Sequence, residues 1–483
     1  MKTTKMKFSL MLLTASLAIT TVSCKKEGCT DAAATNYNEK AKKDDGSCTY
    51  ESTTPAGVVE LTGDLATRTL YKNTKYLIKG QVFVRDMVTL TIEPGTVIMG
   101  DKATKGTLIV DRGGKIMANG SASQPIVFTS ALPAGQRDKG DWGGLILLGK
   151  ANQNQPNPAV EGITPATYFG GSTDGDNSGV MNFVRVEFAG IELTPNNETN
   201  SITLGAVGSG TTFENIQVSF GGDDGFEWFG GSVNGKNLIS FCTWDDDFDV
   251  DYGYTGKNQF GLAVRYASFA DQSGSNIFET DNGPNDNVTT LLTTGVFSNF
   301  TGVGPKLTNT QSINANYQHA LDLRRRTALT IANSVFIGMP RGVRMNQNSV
   351  YENYNNGTGA LLNNVLCAPT DAFLTGSGTT HTTTDVSNYW TANGNTVLNG
   401  TDFAAILAGL GLNSNIFFGS NGNTGYSASP SFIVTSGTLT TGASFTHPKL
   451  ASGFEQVSYV GAFGATDWTT GWAEWNPINK QYN

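Results

Sequence analysis

The sequence predicts an all-β chain wound as a solenoid of stacked coils. Short β-branched runs closed by Gly, Asn or Asp begin near Thr69 and recur almost to the C-terminus. The first are Tyr76 to Val84, Leu90 to Gly100, Gly106 to Ala118 and Pro125 to Ser130. Core strands then return at roughly 20–30 residues, the length of one solenoid coil. Composition agrees: 58 of 483 residues are glycine, where ~7% is usual. Only 15% are charged, which suits many tight turns and few surface helices.

Residues 1–23 form a targeting segment. Lys2, Lys5 and Lys7 precede an apolar stretch, Phe8 to Val22, too short for a stable spanning helix. Its end, Thr21-Val22-Ser23-Cys24, resembles a bacterial lipoprotein lipobox. That resemblance implies lipidation of Cys24 and a membrane tether without a spanning helix. An ordinary signal peptide cleaved elsewhere is the alternative. Lys25-Lys26-Glu27 resembles the short signal that sends lipoproteins of the Bacteroidota to the cell surface. It implies an outer-membrane protein facing outward.

Residues 24–50 hold the tether and a small module. Gly28 to Asp31, Asn36 to Asn38 and Asp44 to Cys48 resemble a recurrent module of secreted Bacteroidota proteins. A segment this small cannot build a core, so a Cys29–Cys48 disulfide is expected as its staple, worth roughly 3 kcal/mol. Asp31, Asp44 and Asp45 either ligate Ca²⁺ or cap turns. Residues 51–59 read as a linker, and residues 60–483 as the solenoid.

Further strands are expected at Asp141 to Lys150, Asn182 to Gly190, Phe213 to Phe220, Lys236 to Thr243 and Leu329 to Gly338. Alternate apolar residues in each can point into the lumen. Trp142 to Gly149, Gly221 to Gly231, Asp246 to Gly256, Leu323 to Arg326 and Gly461 to Trp472 carry a resemblance. The chain resembles a single-stranded, right-handed parallel β-helix of the pectate-lyase-like class. More closely, it is similar to β-helix lipoproteins of the Bacteroidota with no established activity. Open solenoid ends need covers. Leu61 to Tyr76 is expected to cap the first coil, and Trp468, Trp472 and Trp475 the last. Asp402 to Gly411 has helical spacing.

The strongest candidate site is acidic. Strand alternation through Trp244 to Tyr252 puts Asp245, Asp247, Asp249 and Asp251 on one face. One coil earlier lie Asp223, Asp224 and Glu227; one coil later lie Glu279 and Asp281. Stacking at ~4.8 Å would crowd these carboxylates unless a cation or arginine neutralises them. Three readings stay open: a Ca²⁺ site of hard oxygen ligands without His, a pair of catalytic carboxylates, or Asp side chains bonding turn amides. Arg324 and Arg326, expected on one strand face, would pair with the acids or hold an acidic sugar.

The family includes polysaccharide lyases and hydrolases. A Ca²⁺-dependent lyase would use the aspartates for metal and Arg324 or Arg326 as base. A polygalacturonase-like hydrolase would need Gly-His-Gly and Arg-Ile-Lys, and neither is present. Cys242 and Cys367 read as buried free thiols without a nearby His. His319, His381 and His447 are scattered, which disfavours zinc. The net charge of −9 disfavours nucleic acid, and no nucleotide or redox cofactor is expected. The expected function is a non-catalytic surface scaffold presenting a long face to a glycan or an outer-membrane partner complex; the alternative is a polysaccharide lyase.

Overall fold

The computed structural model describes residues 26–482 except 33, 51–56, 195–196, 309, 368–369, 401 and 419–425. Cys24 and most of the linker therefore lie outside the described residues. The chain divides into two units, Met1–Glu51 and Ser52–Asn483.

In the first unit Cys29 and Cys48 are disulfide-bonded, 19 residues apart. Asp44 and Asp45 serve turns, and Asp31 holds a distant tyrosine. Asp44 Oδ1 accepts from Gly46 N at 3.1 Å and Asp45 Oδ1 from Ser47 N at 3.0 Å, while Tyr50 donates to Asp31 at 2.7 Å. They are not among the carboxylate groups that come together as a ligand set among the described residues.

The second unit is a right-handed parallel β-helix. Three parallel sheets run its length, and each coil contributes a strand to each. The first sheet includes Val97–Gly100, Ile126–Ser130 and the later parts of Thr212–Ser219, Gly235–Phe241 and Lys257–Val264. The second stacks Thr107–Val110, Leu145–Leu148, Ile202–Gly205, Phe226–Phe229, Phe248–Asp251, Phe278–Thr280, His319–Leu323 and Arg341–Met345. The third includes Thr89–Ile92 and Lys115–Asn119. Val58–Asp64 pairs with Lys75–Val84 and is itself the first rung.

Alternation along each strand sends one set of side chains into the lumen. There Phe226, Phe248 and Phe278 stack on successive rungs at 5.8 and 5.0 Å between centroids. At one corner between sheets the backbone turns through the left-handed region, at φ 53° for Asn215 and 57° for Asn237. Asn is among the few non-glycine residues that tolerate this. The stacked amides also bond: Asn237 donates to Asn215 and Asn215 to Asn182, each at 2.8 Å. The abundance of asparagine thus has a structural cause.

The far end is closed by the helix Thr383–Ala392, whose Val386 and Trp390 are buried in the lumen core. A capping box between Thr382 and Asp385 starts it. The expected helix after Asp402 is present as Phe403–Leu410.

The C-terminal tryptophans do not cap the last coil. Trp472 packs edge-on against Phe183 at 5.8 Å, and Trp475 against Phe241 at 5.2 Å, both on middle coils. The tail is a strap running back along the outer face of the first sheet. Side-chain amides hold its backbone as a strand partner would: Gln217 Nε2 donates to Glu474 O and Gln217 Oε1 accepts from Glu474 N, both at 2.8 Å. Gln259 does the same for Glu455, and Lys75 reaches Tyr482 O at 2.8 Å. The outer face of this sheet is apolar (Phe188, Phe220, Ile239, Leu262, Val264) and must be covered; the strap buries it under Phe417, Phe432, Phe463 and Trp472.

Candidate metal centre

The acidic residues converge on the outer face of the second sheet. Register places Thr203, Glu227, Asp249, Glu279, Asp322 and Arg344 in one column, a rung apart. Beside it, Phe229 lies above Asp251. The residues between point into the lumen, so aromatic stacking inside aligns the carboxylates outside.

The expected alternation holds for Asp249 and Asp251 and fails for Asp247. The strand begins only at Phe248, and the preceding aspartates turn a corner. Asp247 swings to the other side, where Ser240 Oγ donates to it at 2.6 Å and Arg265 Nη1 stands 3.3 Å away, both partners being fully buried. Asp246 takes its place in the acidic patch: its N–H donates to Asp224 Oδ1 at 2.9 Å, and its carboxylate accepts from Asn276 N.

Two carboxylate groups form, Asp223/Asp224/Asp245 and Asp224/Glu227/Asp249, with the oxygens of each within 4.8 Å of one another. Asp224 belongs to both. Asp245 Oδ1 and Asp249 Oδ1 are buried yet have no hydrogen-bond partner among the described residues. Burial, then like-charge neighbours, hold Asp223, Asp224 and Glu227 well above the carboxylate range. Burial likewise raises Asp249 and Asp246, and pushes Asp245 to about 6 and Asp251 to about 7. An all-carboxylate set without His or Cys, crowded and partly orphaned, fits a hard divalent cation such as Ca²⁺.

The lower part of the column is neutralised by arginine instead. Arg324 pairs with Glu279 and, at 2.5 Å, with Asp281, which also receives Arg325 at 2.7 Å. Arg344 Nε donates to Asp322 at 2.6 Å. Glu279 and Asp281 therefore belong to an ion-paired network rather than to the uncompensated cluster. Arg324 and Arg326 do not share a strand face, because the strand ends at Leu323 and the chain turns through positive φ at Arg325 and Arg326. Arg326 Nε donates to Asp286 O at 2.9 Å.

Beside the upper carboxylates lies a cavity of about 370 Å³, bounded by Asp223, Glu227 and Asn200 and by the rings of Phe169, Phe229 and Tyr252. Asn200 was not foreseen from sequence. Its amide nitrogen donates to Glu227 and, at 3.1 Å, to Thr203. Lys139 was also missed. Its Nζ sits 3.7 Å over the Trp244 ring, and burial lowers its pKa. Its loop approaches because Gly140, Gly190 and Gly222 meet backbone to backbone: a Cβ on Gly222 would fall 2.3 Å from Gly190 O and 3.0 Å from Gly140 Cα. Cys242 and Cys367 are buried free thiols away from this patch.

Residues 63–410 match the family model described as a pectate-lyase-like β-helix domain. The chain belongs to this family. Neither the curated proteins nor the solved structures yield a match. Membership in the β-helix family establishes the scaffold; the chemistry must be argued from the site.

Proposed function

We propose that this β-helix protein binds an acidic glycan through a divalent cation held on its second sheet, without cleaving it, as a lipid-anchored outer-membrane protein displayed outward. The observation that carries this reading is the pair of carboxylate groups sharing Asp224, with orphan oxygens on Asp245 and Asp249, beside an aromatic-walled cavity. Asp223, Asp224, Glu227, Asp245 and Asp249 would hold the ion. When bound, it would supply the positive charge that lets a polyanion approach an otherwise repelling face. The arginines that a lyase would need as base are committed to carboxylates or to backbone. The resemblance of Thr21 to Cys24 to a lipobox and of Lys25 to Glu27 to a surface-export signal supports this display.

The test is to strip the protein with chelator, titrate Ca²⁺ calorimetrically, and measure retention on acidic polysaccharide with and without the ion. Saturable Ca²⁺ binding that confers retention, with no ultraviolet-absorbing unsaturated product, is the expected result. Absence of Ca²⁺ binding at millimolar concentration would remove the basis of the reading.

A second reading, a polysaccharide lyase, rests on Lys139. A lysine whose pKa is lowered by burial gives up its proton more readily than a solvated lysine, which is what a general base requires. Release of unsaturated products that stops in Lys139→Met would establish this reading in place of the first.

A further inference from the structure

A second groove lies away from the acidic face, between the helices Asn348–Asn355 and Thr383–Ala392 near the far end of the solenoid. Its volume is about 570 Å³, within the range of small-ligand sites. Its lining differs in kind from the first cavity. Tyr351 and Tyr389 bring aromatic rings, and Asn355 and Asn388 bring exposed side-chain amides. Tyr351 is held rigid by parallel stacking on His381, 4.8 Å between centroids. Tyr389 accepts from Leu361 N at 3.3 Å, which leaves its own hydroxyl proton to donate.

The groove carries little net charge. Asp385 spends Oδ2 on the Thr382 amide and hydroxyl, each at 2.7 Å, and keeps Oδ1 as an acceptor. His447 accepts from Lys449 N at 3.3 Å through Nδ1. Burial and the neighbouring lysine lower its pKa, so the neutral ring presents Nε2–H as a donor. The Lys449 ammonium is turned aside onto Thr330 Oγ1 at 3.2 Å and onto Thr358 O. What remains is a balanced set of donors and acceptors flanked by ring faces. Planar amides can bond two adjacent hydroxyls at once, and tyrosine rings pack against the C–H face of a pyranose. Among the described residues that line the groove, Asp385 is the one carboxylate and no lysine or arginine takes part.

We infer that this groove is a second glycan site, one that takes an uncharged polysaccharide and needs no metal. It goes beyond the acidic-glycan reading and does not depend on it. The helix Asn348–Asn355 is a segment inserted between coils, the kind that collects on one face of a solenoid and commonly binds, and the helix Thr383–Ala392 that closes the far end supplies the opposite wall.

The experiment is affinity electrophoresis of the full chain through gels containing mixed-linkage β-glucan, galactomannan, xyloglucan or dextran, with and without EDTA. At least one of these should retard the protein, and EDTA should leave the retardation unchanged. The double variant Asn355→Ala/Asn388→Ala should bind at least tenfold more weakly with an unaltered melting midpoint. Asn388→Ala alone gives the same readout should the pair disturb the helices. Asp224→Asn should retain the interaction, which separates this site from the acidic one. Lack of retardation in every gel, retardation surviving the double variant, or loss of retardation in EDTA would each overturn the inference.

Discussion

Asp224 sits in both carboxylate groups, so its charge should be costly in the ion-free protein and indispensable in the ion-bound one. Two unit charges 4.8 Å apart repel by about 3.5 kcal/mol at an effective dielectric of ~20. Asp224→Asn removes that charge yet keeps the acceptor that receives Asp246 N–H at 2.9 Å. Without metal, the variant should therefore gain stability over the wild type as rising pH ionises the cluster, by up to about 3.5 kcal/mol once it is fully charged. For the unit Ser52–Asn483, an unfolding entropy of ~2.1 cal/mol/K per residue converts this to about 4 °C in melting midpoint. Ca²⁺ at about one hundred times its dissociation constant should stabilise the wild type by ~2.7 kcal/mol, or about 3 °C, and the variant hardly at all. Differential scanning calorimetry in EDTA and in Ca²⁺ reads both effects. An ion-free variant that melts at or below the wild type, or an equal Ca²⁺ response in the two proteins, would refute the reasoning.

Asp247→Asn should behave in the opposite way. It leaves the fully buried Arg265 without its carboxylate, a loss on the order of 3–5 kcal/mol, while calorimetric Ca²⁺ affinity stays unchanged. The ion-free protein should also lose stability as pH rises. Asp245 and Asp251 are raised from 3.8 to about 6 and about 7 in the fold, so the unfolded chain gives up its protons first. Their contribution is complete below about pH 4 and disappears as pH climbs through 6 and 7; urea midpoints across pH 4–8 should fall in EDTA and flatten in Ca²⁺. Trp390→Ala should open the far end of the solenoid, since Trp390 is 1% exposed in the lumen core. A cost of about 3–5 kcal/mol is expected, visible as lowered urea resistance.

Much of this was legible in the chain. Short β-branched runs between glycine turns permit few architectures, because a segment of four or five residues cannot bury its apolar face alone and must stack on a neighbour. Strand alternation likewise placed Asp249 and Asp251 outward, opposite Phe248 and Val250. It failed at Asp247, because period two applies only within a strand and the strand starts one residue later. It failed again for Arg324 and Arg326, because the strand ends at Leu323 and positive φ at Arg325 and Arg326 redirects the chain. The strap was illegible for another reason: Gln217 and Gln259 bind backbone more than 190 residues away, and a backbone partner leaves no mark on side-chain pattern.

By itself the sequence determined the coil, its inward and outward positions, the Cys29–Cys48 staple and the presence of a carboxylate surplus near Asp223 to Asp251. Only the tertiary structure decided which acids remain uncompensated. Among the described residues, arginines from later coils reach Glu279, Asp281 and Asp322 but not Asp224. That choice depends on rung register and corner geometry, and neither is encoded locally; both arise when distant segments of the chain settle onto one axis.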